Sequence, residues 1–204
     1  MNLYSHWILP RLLDFSMRNQ MLLPYRQRTV SASRHRVLEV GVGSGLNLPL
    51  YRDVDGICGI DPSAELIEYS RQRTKEARVP VVLARASAET LPFANESFDT
   101  VVLTWSLCSI RNPLEALRQM HRVLKPDGRL LFVEHGLAPD RGVRRWQNAL
   151  TPVWSRISAG CHLNRKIDDL VRAAGFRIED LRTGYLEKGP KLITYMYEGQ
   201  ARRE

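Results

Sequence analysis

The sequence predicts an α/β protein: a seven-stranded, mainly parallel sheet with helices on both faces. Three observations carry this. From Arg36 onward, short apolar runs of strand character alternate with stretches of helical period. The first such run ends in a glycine-rich loop. No linker is long enough to divide the 204-residue chain, whose length suits one domain with a sizeable core.

Residues 1–30 form the first unit. Leu9, Leu13, Met17 and Met21 recur every four residues, with Trp7, Ile8, Leu12 and Phe15 widening that face. The pattern predicts an amphipathic helix over residues 3–23, with Pro10 kinking it or starting its second half. It reads as a helix packed on the domain, a lid over a site, or a helix resting on a membrane surface. Residues 31–204 form the main domain.

Arg36–Val40 is the first predicted strand and Gly56–Ile60 the second, followed by a helix from Ser63 to about Ala77. Val79–Ala84 and the strongly apolar Thr100–Thr104 are the third and fourth. Asn112 caps a helix over Pro113–Leu124, with Pro113 in its first turn and Glu115 three residues after the cap. Lys125-Pro126-Asp127-Gly128 then marks a turn into a fifth strand, Arg129–Glu134. Residues 141–174 read as one or two helices interrupted at Gly160. Phe176–Arg182 and Leu192–Tyr197 are the last two strands. With no helix between them, they are expected to pair antiparallel.

The net charge of +8 favours anionic neighbours, yet no run of five Lys/Arg and no aromatic RNA-binding signature occurs, so nucleic acid is not an expected partner. Three widely spaced cysteines without a C-x-x-C argue against a disulfide framework and a structural zinc site, and no metal is expected. No apolar run approaches the roughly 20 residues of a membrane span. A cytoplasmic protein is expected, with peripheral contact to the inner face of an anionic membrane as an alternative.

The chemistry centres on Glu39-Val40-Gly41-Val42-Gly43-Ser44-Gly45. Glycines at a strand-to-helix junction let the backbone approach a ligand closely, and ligands of such sheets bind at the carboxyl ends of the strands. A dinucleotide fingerprint requires a third glycine at position 46, where Leu46 stands. Asp61 ends the second strand, where an acid can bind both hydroxyls of a ribose; it also suits a helix cap.

The glycine segment resembles the S-adenosylmethionine (SAM) motif of Rossmann-like class I methyltransferases. Ala88-Glu89-Thr90-Leu91-Pro92-Phe93, Ser97-Phe98-Asp99 and Arg122–Gly128 resemble later blocks of the ubiquinone/menaquinone-biosynthesis-like branch, in the expected order. The region from Cys108 through His135, with Val153-Trp154 and Gly160–Leu163, is similar to alkyl-thiol methyltransferases and bacterial phospholipid N-methyltransferase-like proteins.

The resemblance implies a cofactor set of Glu39, Gly41, Gly43, Gly45, Asn47, Asp61, Pro62, Ser87, Ala88 and Thr104, with S-adenosyl-L-homocysteine as product. Glu39 would hold the loop backbone or the methionyl amino group. Gly41 and Gly43 would pass close to the methionyl part. Asp61 would bind the ribose, Pro62 would lie against adenine, and Ser87 and Ala88 would face the adenine edge. Many relatives carry Asp where Ser87 stands, which shifts the adenine amino contact to backbone. Thr104 would border the sulfonium.

An NAD-linked oxidoreductase and a non-catalytic SAM-binding module remain alternatives. In-line methyl displacement needs alignment above all, and a thiol acceptor needs little help from a base. The candidate bases are His135, at a strand end, and His162, each of which also suits a structural role. Trp105, Trp146 and Trp154 are expected to line or support an apolar pocket. Trp146, Val153, Trp154 and Ile157 would form a wall opposite the N-terminal helix. The expected acceptor is an apolar or amphipathic small molecule or a lipid. Arg11, Arg18, Arg26 and Arg28, with Arg141, Arg144 and Arg145, are the basic groups available for an acidic headgroup.

Overall fold

The computed structural model describes residues 8–204. Among these residues, seven strands form one sheet: β1 (His35–Val40), β2 (Val54–Asp61), β3 (Val81–Arg85), β4 (Phe98–Thr104), β5 (Leu124–His135), β6 (Phe176–Tyr185) and β7 (Tyr195–Arg203). The helices are α1 (Leu9–Met17), α2 (Leu23–Ser31), α3 (Ala64–Arg73), α4 (Pro113–Val123), α5 (Arg141–Ile157), α6 (Ile167–Ala173) and the single turn α7 (Lys191–Thr194).

The strand order is β3-β2-β1-β4-β5-β7-β6. Strands β1 to β5 pair in parallel, and β7 is antiparallel to both β5 and β6. The chain crosses from β1 outward to β2, then returns to β4 on β1's other side. This reversal opens a crevice at the carboxyl end of β1, the ligand position of open α/β sheets.

The apolar strands explain the layers. Leu38, Val40, Val101, Leu103 and Phe132 bury one face against α4 and α6, together with Leu117, Met120 and Val171. Val37, Val102 and Leu131 bury the other face with Val30 of α2 and Ile67 of α3. Each fully buried Leu, Val or Phe contributes about 1.5–3 kcal/mol of transfer free energy. Residues 23–31 therefore share a hydrophobic layer with the sheet.

The predicted Asn112 cap forms, its Oδ1 accepting from Glu115 N at 3.2 Å. The helix expected to start at Ser63 is instead capped by it, Ser63 Oγ accepting from Leu66 N at 3.2 Å. Three expectations need correction. The predicted single helix over residues 3–23 instead ends at Met17, where Asn19 Oδ1 caps a 3₁₀ turn by accepting from Met21 N. Trp7 lies outside the described residues. Strand β5 begins at Leu124, since Leu124 pairs with Phe98 across a bulge. Residues 191–194 are helical; β7 starts at Tyr195 and runs to Arg203 through polar residues that carry no apolar run.

Candidate active site

A cavity of about 550 Å³ opens at the carboxyl ends of β1, β2 and β4. Its floor is the loop Val40–Ser44. Gly41 and Gly43 hold φ of +73° and +56°, where side chains are disfavoured. A Cβ on Gly41 would lie 2.4 Å from Ser106 Cβ, whereas one on Gly43 meets nothing closer than 3.8 Å. Gly43 therefore borders open cavity. Gly45 lies outside the lining; a Cβ there would sit 3.0 Å from Ser70, so it serves the close packing of α3.

Asp61 closes the β2 side. Its Oδ2 accepts from Gly43 N at 3.1 Å and its Oδ1 from Ser63 N at 2.9 Å. Each carboxylate oxygen has two acceptor positions, so capacity remains for two hydroxyls in the cavity. At 7% exposure, burial pushes this carboxyl upward, against the pull of its backbone donors. Pro62, Ser87, Ala88 and Thr104 also line the cavity. The acid, the open Gly43 and the flank of Pro62 and Ala88 fit an adenosyl ligand with a charged tail.

Glu39 and Asn47 lie beneath the floor. Asn47 Nδ2 donates to Glu39 Oε1 at 2.8 Å and to Thr104 Oγ at 2.9 Å, while Tyr51 Oη donates to Glu39 Oε2 at 2.9 Å. Burial raises Glu39 to about 7, opposed by those two donors and the Arg26 charge. Arg26 completes the network: Nη1 donates to Asn47 Oδ1 at 2.7 Å, Nη2 to Met17 O at 3.2 Å, and the guanidinium stacks 4.7 Å from the Trp105 ring. Arg26 is only 6% exposed, which removes it from the surface groups expected to meet a headgroup. Burial lowers it to about 10, still protonated at neutral pH.

Leu9, Leu13 and Met17 of α1 close the far side with apolar surface. Asp14 pins that helix: its Oδ1 lies 2.8 Å from Arg73 of α3, and Arg73 also donates to Ser44 O in the glycine loop. Asp14, Tyr51 and Glu134 were not singled out from the sequence, because other elements supply their partners.

Glu134 Oε1 accepts from Ser106 N and Leu107 N, both at 2.8 Å, and so holds the turn after β4. Trp105 in that turn has φ of +50° and lines the cavity. Trp146 does not; at 63% exposure it points outward, as do Val153 and Ile157. The expected opposite wall is instead built by Ser109, Ile110 and Ala159. Neither candidate histidine lines the cavity. His135 Nε2 lies 3.2 Å from Cys161 Sγ, and His162 Nδ1 lies 2.7 Å from Gly160 O.

A glycine loop after β1, an acid ending β2 and this strand order define the class I methyltransferase architecture. Residues 38–132 match the methyltransferase domain family. The chain is 36% identical over 143 residues to a phosphatidylethanolamine N-methyltransferase of Cereibacter sphaeroides, covering 68% of each protein. It is 32% identical over 134 residues to the thiol S-methyltransferase TMT1B of Rattus norvegicus, covering 64% of this chain and 55% of the relative. The YcgJ protein of Bacillus subtilis superposes with a TM-score of 0.69 at 18% identity, over 92% of this chain and all of that one. The chain belongs to the SAM-dependent methyltransferase family. The NAD-linked alternative falls with that membership.

Proposed function

We propose that this protein transfers the methyl group of SAM to an apolar or amphipathic acceptor, a thiol or a lipid amine. One observation carries the reading: the inner face of α1 supplies apolar Leu9, Leu13 and Met17 to the same cavity whose floor is Gly41–Ser44 and whose side is Asp61. A polar adenosyl half and an apolar half thus share one space.

When bound, SAM supplies an electrophilic methyl group. The protein's part is orientation, which contributes roughly 7–11 kcal/mol in favourable cases. Asp61 and the glycine loop hold the donor, Thr104 and Trp105 border the reacting region, and α1 excludes water. An acceptor with a low demand for a base suits a site whose part is alignment. A thiol near its ordinary pKa of about 8.5 meets that demand.

The outer surfaces support an acceptor drawn from a membrane. Ile8, Leu12 and Phe15 expose one stripe on α1, with Phe15 80% exposed. Trp146, Leu150, Val153 and Ile157 expose another along α5, at spacings of four, three and four residues, flanked by Arg145 and Arg156. Among the described residues, no helix is long and apolar enough to cross a membrane. The deciding experiment is mass spectrometry on alkyl thiols, phospholipid amines and quinols incubated with enzyme and SAM. Methylation of none of them sinks the acceptor assignment.

A further inference from the structure

Cys108, His135 and Cys161 arrive at one place from three segments: the turn after β4, the end of β5 and the loop after α5. Their two sulfurs and one imidazole nitrogen all lie within 4.8 Å of one another. The arrangement is held by backbone. His162 N donates to Cys108 O at 2.9 Å, laying the two cysteine segments side by side, and Arg165 donates to Leu107 O. Cys108 and His135 are buried and Cys161 is half-buried.

We propose that Cys108, Cys161 and His135 form a three-ligand site for Zn²⁺. Two thiolates and one imidazole are a known tetrahedral donor set that leaves a fourth position open. With Zn–S near about 2.3 Å and Zn–N near about 2.0–2.1 Å, tetrahedral ligand atoms stand roughly 3.5–3.8 Å apart. The His135–Cys161 separation of 3.2 Å has to open by a few tenths of an ångström, and a pair at the 4.8 Å limit would close by about 1 Å. On binding, each S–H gives its proton to buffer as an S–Zn bond forms, and the imidazole donates a lone pair. No oxidant enters. A cation in this position neutralises the two thiolates in place.

The site has a structural consequence. The Cys108 turn supplies Trp105, Ser109 and Ile110 to the cavity, and the Cys161 loop supplies Ala159. A bound cation would tie these two walls to the end of β5. Sequence spacing hides the set, since it contains no C-x-x-C and its members lie 26 or more residues apart.

The test uses the full chain kept reduced with a phosphine. Calorimetry with Zn²⁺ is expected to show one ion per chain with proton release, and Co²⁺ to give tetrahedral d–d and thiolate charge-transfer absorption. Cys161→Ser should weaken binding by roughly a hundredfold or more, while Cys58→Ser leaves it unchanged. In the unsubstituted chain, Zn²⁺ should protect Cys108 and Cys161, but not Cys58, from alkylation. Absence of binding, undiminished binding in Cys161→Ser, or an alkylation pattern indifferent to Zn²⁺ overturns the site. So does reversible oxidation of Cys108 with Cys161 in a chain that binds no Zn²⁺, which marks a disulfide pair instead.

Discussion

Asp14 on α1 and Arg73 on α3 form an ion pair 2.8 Å apart at the rim of the cavity. Because Arg73 also donates to Ser44 O, the pair couples the helix covering the cavity to the loop forming its floor. Partly exposed pairs are worth at most about 1 kcal/mol, so Asp14→Ala should loosen α1 without unfolding the chain. Methyl transfer is expected to fall about fivefold in kcat/KM, with SAM affinity changing less. Loss of affinity equal to the loss of turnover would show that α1 holds the donor rather than the acceptor.

The outer stripes separate a covering role from a membrane role. Leu22 and Arg26 are buried, so a truncation should stop at Asn19 to spare them. Removing residues 1–19 is expected to cut transfer to amphipathic acceptors. The double variant Trp146→Ser/Val153→Ser is expected to keep activity on short soluble thiols and to lose co-sedimentation with anionic vesicles. Equal sedimentation of the two proteins would remove α5 from the membrane surface.

Glu134 makes stability depend on pH. Burial raises its carboxyl to about 7, against the pull of the Leu107, Ser106 and Cys108 backbone donors and of His135. Between about pH 4.5 and 7, the unfolded chain ionises this group while the folded chain keeps it protonated, so its contribution to stability declines as pH rises. Glu134→Gln keeps the acceptor for Ser106 N and Leu107 N and removes the titration. The variant should match the parent near pH 4.5 and gain on it up to about pH 7, by an amount on the order of 2–3 kcal/mol. Thermal unfolding of both proteins across that window checks this; a constant difference would contradict it.

His162 bonds to Gly160 O and lies near Arg165, outside the cavity lining. His162→Ala should therefore keep kcat on a thiol within about threefold. A loss of about a hundredfold or more, the scale of general acid–base catalysis, would restore it as a base.

The parallel sheet, the glycine loop and Asp61 were legible because each rests on local pattern: apolar strands, positive-φ glycines and a strand-end acid. Period alone fails where tertiary partners decide. In α5 the exposed apolar stripe and the buried Gln147–Thr151 face are neighbours, and helical spacing does not say which faces the sheet. Arg26 reads as a surface charge until Asn47 and Trp105 supply its partners from 21 and 79 residues away. The polar β7 carries little apolar signal because its pairing with β5 and β6 on both sides makes it a strand.

SAM is expected to bind in the cavity bounded by Gly43 and Asp61. Calorimetric titration of the purified chain with SAM, S-adenosylhomocysteine and NADH decides this, with Asp61→Ala and Gly43→Val alongside. Saturable one-to-one binding of the two adenosyl ligands and none of NADH is predicted. Asp61→Ala should weaken SAM by about 1–3 kcal/mol. Gly43→Val, which projects a side chain into the open cavity from a backbone at φ +56°, should abolish binding while circular dichroism stays that of the parent. Undiminished SAM binding by both variants, or binding of NADH with no binding of SAM, would place the SAM site elsewhere or rule it out.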